Sequence, residues 1–134
     1  MFAAKQAKSS ARVDTLIGSG TRIEGDVRFS GGLRIDGAVT GNIVGQDSGT
    51  LTLSEEAVVE GEIRVAHAVI NGKVTGPIHA SESLDLQAKA RVTGDIYYGA
   101  LEVQLGAIVQ GRLIHGAEER SPDKVVSLVT GAAD

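Results

Sequence analysis

One pattern recurs six times in this chain: aliphatic, polar, glycine, variable, aliphatic, with a β-branched residue in the first place. The copies are Ile23-Glu24-Gly25-Asp26-Val27, Val39-Thr40-Gly41-Asn42-Ile43, Val59-Glu60-Gly61-Glu62-Ile63, Val74-Thr75-Gly76-Pro77-Ile78, Val92-Thr93-Gly94-Asp95-Ile96 and Val109-Gln110-Gly111-Arg112-Leu113. A second alternating element precedes each copy, beginning at Thr15, Leu33, Leu51, Ala68, Leu84 and Leu101, so that successive starts lie 18, 18, 17, 16 and 17 residues apart. Six units in register across 15–116 leave little choice of architecture. A unit of this size cannot bury its own apolar side, but units stacked coil on coil bury a continuous column.

The periodicity inside each unit is two, which is the periodicity of a strand. Stacking then predicts three vertical aliphatic columns: Ile17/Ile35/Leu53/Ile70/Leu86/Val103, Ile23/Val39/Val59/Val74/Val92/Val109 and Val27/Ile43/Ile63/Ile78/Ile96/Leu113. Like shapes repeating every ~4.8 Å interdigitate without large rings. This accounts for a chain with 42% hydrophobic residues but only 3% aromatics and no Trp. The recurrent glycine is expected at a corner, where the backbone needs positive φ or where neighbouring coils approach closely. Phe29 and Tyr98 share the inward phase and are expected to be structural.

The expected fold is therefore all-β: one right-handed parallel β-helix of about six coils, with flexible termini. The hand follows from the spacing. Left-handed β-helices of the acyltransferase type keep strict hexads, whereas here the glycines lie 16, 20, 15, 18 and 17 residues apart. The expected divisions are an N-terminal arm, 1–14, a β-helical core, 15–116, and a C-terminal tail, 117–134. Six coils make a rod roughly 25–30 Å long. Neither flank of the core carries an amphipathic helix or other cap, and an uncapped solenoid end is an invitation to stack. The residues placed at these ends are Ile17, Ile23 and Val27 in the first layer and Leu101, Val103, Val109 and Leu113 in the last.

Several function classes are disfavoured. Without cysteine there are no disulfides, thiolate metal sites or cysteine nucleophiles. A net charge of −4 with no basic stripe argues against nucleic acid, and the absence of a phosphate-binding glycine–lysine loop argues against nucleotide. His67, His79 and His115 fall at different phases of the repeat, so no metal-ligand or catalytic-base set is expected from them. The acidic patch Glu55, Glu56, Glu60 and Glu62 has no cleft wall opposite it and reads as a solvated face. No catalytic residue and no cofactor are assigned. The competing enzymatic class is a β-helix acyltransferase or sugar-modifying enzyme, but its hexads, inserted loop and trimeric interface are not visible. A soluble, capped binding module is the third reading.

The arm carries Met1, Phe2, Lys5, Lys8 and Arg12. On these residues alone two readings stand: a solubilising tail, or one aromatic and a few cations resting on anionic lipid at about 1 kcal/mol per cation. The apolar stretch Lys124-Val125-Val126-Ser127-Leu128-Val129 interrupts an otherwise polar tail, either as a partner-binding peptide or as a flap over an exposed coil edge.

The six coils, the segment Phe29-Ser30-Gly31-Gly32-Leu33-Arg34-Ile35-Asp36-Gly37 and the opening Met1-Phe2-Ala3-Ala4-Lys5-Gln6-Ala7-Lys8-Ser9 together resemble the bactofilins. That resemblance implies a bacterial cytoskeletal protein with a right-handed β-helical core. It implies nucleotide-free assembly with itself into non-polar filaments, like ends meeting like ends. It further implies attachment of the arm (Met1, Phe2, Lys5, Lys8) to lipids on the inner face of the cytoplasmic membrane, and positioning of cell-wall synthases or hydrolases to influence cell shape. The short tail departs from the long Pro-rich extension of many relatives, which puts tail-mediated recruitment in doubt.

Overall fold

A computed structural model describes residues 13–116. Thirteen strands run β1 (Thr15–Ile17), β2 (Arg22–Glu24), β3 (Val27–Ile35), β4 (Ala38–Thr40), β5 (Ile43–Leu53), β6 (Val58–Glu60), β7 (Ile63–Ile70), β8 (Lys73–Thr75), β9 (Ile78–Leu86), β10 (Arg91–Thr93), β11 (Ile96–Val103), β12 (Ile108–Gln110) and β13 (Leu113–His115). The odd-numbered strands form a seven-stranded sheet and the even-numbered strands a six-stranded one, each strand next to its equivalent one coil away. All pairings are parallel. This is the parallel solenoid that the repeat predicts.

All three aliphatic columns are present in the register. Ile17 pairs with Ile35, and Ile35 with Leu53; Val39 pairs with Val59; Ile63 pairs with Ile78, and Ile78 with Ile96. The middle coils are dry: Ile35, Val39, Ile43, Leu53, Val59, Ile63, Ile70, Val74, Ile78, Leu86 and Ile96 are fully buried. Phe29 and Tyr98 are half-buried and pack against this core, as their phase predicts.

Each full coil has one long, bent strand of 8–11 residues and one of three. A β-bulge turns the corner without interrupting the pairing, at Ser30/Gly32 in β3, Val65/His67 in β7 and Tyr98/Ala100 in β11, so two faces share one strand. The same corner absorbs the drift in coil length. In β5 the register jumps from Val44 to Thr50, and the extra residues bulge outwards around Asp47, which has φ 56°. The longest gap between repeat glycines, from Gly41 to Gly61, lies here.

The recurrent glycine meets both expected requirements at once. Gly61 has φ +148°, and a Cβ there would collide with the Gly41 carbonyl oxygen in the coil beneath. The position that follows it, variable in sequence, stitches the coils together. Asp26 Oδ1 accepts from the Asn42 backbone N–H at 3.0 Å, Asn42 Oδ1 from Glu62 N–H at 3.0 Å, and Asp95 Oδ1 from Arg112 N–H at 3.1 Å. Pro77 has no N–H to offer, and Glu62 beneath it turns aside to Arg64 (2.8 Å) and His79 (3.1 Å).

Candidate assembly interface

Each end of the rod is a pair of edge strands. Among the described residues, β1 pairs only with β3 and β2 only with β4; at the other end β12 pairs only with β10 and β13 only with β11. Among the described residues, each edge therefore presents one row of backbone N–H and C=O groups that no strand pairs and no helix covers. The apolar surface is found in the same places. Among the described residues, the exposed large hydrophobic ones are Val13 and Leu16 at the first coil and Val103, Leu105, Ile108 and Leu113 at the last, with none in between.

The residues expected at the ends divide by exposure. In the first layer Ile17 is buried by its pairing partner Ile35, and Ile23 and Val27 are half-buried. In the last layer Leu101 and Val109 are half-buried while Val103 and Leu113 are exposed, because no further coil among the described residues covers them. The structure adds Leu16, Ile108 and Leu105, the last of them 95% exposed in the turn before β12. Alternation missed them because Leu16 and Ile108 take the outward phase and Leu105 sits outside any strand.

The last coil is tied down electrostatically. Asp95 accepts from Arg112 both through its backbone N–H and through Nη2 at 3.1 Å, and the guanidinium holds the carboxyl below its usual range. Arg34, at 2.9 Å, does the same for Asp36 in the second coil. Asp85 lies on an outer face, in the column Val69/Asp85/Glu102. Burial, helped by the Glu102 charge, pushes its carboxyl up, and its Oδ1 is buried without a hydrogen-bond partner.

The histidines lie on separate columns. His67 Nδ1 is 2.9 Å from Ser83 Oγ, His79 stacks on Tyr97 with ring centroids 4.5 Å apart, and His115 tilts against Tyr98. Among the described residues no group of three or more His, Asp or Glu side chains could hold a metal ion. Glu55 pairs with Lys89 and Glu62 with Arg64, on open surface. The arm residues Met1, Phe2, Lys5 and Lys8 and the stretch from Lys124 to Val129 lie outside the described residues. Among those described, no helix is long and apolar enough to cross a membrane.

A parallel solenoid whose described residues place apolar surface at both terminal coils is of the class of β-solenoid scaffolds. Comparison with known proteins gives the family. The bactofilin family model, described as polymer-forming cytoskeletal, matches residues 15–114. Bactofilin BacO of Myxococcus xanthus (strain DK1622) is 32% identical over 115 residues, which are 86% of this chain and 90% of its own length. Bactofilin BacP of the same organism is 32% identical over 120 residues, 89% of this chain; the chain spans only about half of BacP (49%). Among solved structures, a cryo-EM reconstruction of Thermus thermophilus bactofilin double helical filaments matches with a TM-score of 0.65 at 35% identity, covering 76% of this chain and 99% of that one. The chain belongs to the bactofilin family of cytoskeletal proteins.

Proposed function

We propose that this chain is a non-enzymatic scaffold that assembles with itself, without nucleotide, into non-polar filaments by end-to-end stacking of its coils. The single observation carrying this is that, among the described residues, exposed large apolar side chains are confined to the two terminal coils, beside backbone edges that no described strand pairs. The filament form of the Thermus relative supports it. The last coil, with Val103, Leu105, Ile108 and Leu113, is the more apolar end and provides the stronger joint. Like-to-like contact lets this face meet its own copy, and the first coil closes the second joint. Negative-stain microscopy of the purified chain beside Leu113→Arg tests this. Filaments from the first and short dispersed particles from the second are expected; discrete trimers or monomers from both would overturn it and favour the acyltransferase reading.

In the same reading the arm attaches the polymer to the inner face of the cytoplasmic membrane, where it positions cell-wall synthases or hydrolases and so influences cell shape. One arm with three cations binds weakly, but a filament multiplies arms and gains avidity, so attachment and polymerisation reinforce each other. Family membership and the arm's composition support this part. Phe2→Glu, or charge reversal of Lys5 and Lys8, is expected to release the protein from anionic vesicles in a flotation assay; retention of both variants would refute it.

A further inference from the structure

The last strand is inverted in its exposure. Leu113 points into the rod and is 37% exposed, as an uncapped end requires; Ile114 points outwards, yet is only 2% exposed and stands apart from the core cluster. Its phase is set by pairing, since Ile114 lies beside Tyr97 and Leu113 beside the fully buried Ile96. The inversion extends along this flank. In the outward column Arg64/His79/Tyr97/Ile114, the His79 side chain is only 16% exposed and Tyr97 is half-buried. On the six-stranded sheet the outward residues Thr40, Glu60, Thr75, Thr93 and Gln110 are exposed in every coil.

Val44, Arg64, Val65, His79 and Tyr97 line a groove of about 330 Å³ on this flank, with Gly116 on its rim. The chain thus leaves β13 at the mouth of the groove. We propose that the segment from Lys124 to Val129 of this same chain docks along it. Seven residues separate Gly116 from Lys124, and extended they reach about 25 Å. Crossing from Ile114 to Arg64 takes three coil steps, about 15 Å. Val125-Val126-Ser127-Leu128-Val129 is the apolar stretch of an otherwise polar tail, and Asp47, on the groove lining, offers an opposite charge to Lys124. The groove lies on the flank of the rod, so docking leaves the stacking faces clear.

Cysteine trapping tests this without background, because the chain has no cysteine of its own. The full chain carries Leu128→Cys with either Arg64→Cys in the groove or, as a control, Lys73→Cys on the six-stranded face. Both pairs are oxidised at a concentration where light scattering finds monomers, so the result does not depend on filament formation. The groove pair is expected to give an intramolecular disulfide at least tenfold faster than the control. Equal rates, no bond in the groove pair, or only intermolecular bonds would each overturn self-docking. Hydrogen exchange provides the second readout. Val126→Asp with Leu128→Asp is expected to speed exchange at Ile114 tenfold or more while leaving Ile63 unchanged, and an unchanged Ile114 would count against the proposal.

Discussion

Leu105 separates assembly from folding. It is 95% exposed, so it contributes almost nothing to the folded monomer, and Leu105→Ala is expected to leave Tm within the spread of neutral surface changes. In a joint it is buried. Burial of a leucine is worth about 2 kcal/mol, and the two possible joints count it differently. In a head-to-tail joint each contact holds one Leu105, so the variant loses about 2 kcal/mol and the critical concentration rises about 30-fold. In a like-to-like joint two copies of Leu105 share one contact, the loss is about 4 kcal/mol, and that joint weakens by roughly a thousandfold. The second joint, between first coils, is then untouched and leaves dimers. Pelleting across a concentration series gives the shift, and analytical ultracentrifugation of the supernatant distinguishes dimers from monomers. A critical concentration moving less than threefold, with Tm unchanged, would refute the placing of the last coil in the joint.

Other expectations follow from the same geometry. Gly61→Ala forces a Cβ onto the Gly41 carbonyl oxygen at φ +148° and is expected to cost about 3 kcal/mol or more, read as a fall in Tm. The Asp95 carboxyl is held down by Arg112, so its contribution is present at neutral pH and lost as pH falls through the carboxylate range. The Tm difference between wild type and Asp95→Ala is expected to be full at pH 7 and to shrink below about pH 4. Asp85 is the opposite case: its raised pKa stabilises the fold at low pH and is a penalty once the carboxyl ionises. Asp85→Asn is therefore expected to raise Tm at pH 7 by about 1–3 °C, with the gain fading in acid; a gain that persists at low pH would contradict the assigned cause.

Much of this molecule was legible in its sequence because stacking makes packing one-dimensional. When each coil touches only its neighbours, a position in the repeat names its partners directly, and Ile17, Ile35 and Leu53 could be aligned without knowing the rest of the fold. The repeat glycine carried its own reason, since few other residues fit both the dihedral angle and the approach of the coil beneath. The terminal layers followed from counting coils.

Other features depend on where the coils sit, and there the sequence alone was silent. Whether two faces form separate strands or one bent strand depends on bulges that keep the ladder paired, as at Ser30/Gly32. The Asp26–Asn42–Glu62 stitching needs a carbonyl or carboxylate oxygen directly beneath an N–H, and its break at Pro77 shows only when the coils are superposed. Leu105 looks unremarkable until the last coil proves to have no neighbouring coil among the described residues. Ile114 has the composition of a core residue and the phase of a surface one. Periodicity determined the core of this protein; the ends and the flank had to await three dimensions, because exposure there depends on the presence or absence of a neighbouring layer and not on the residue itself.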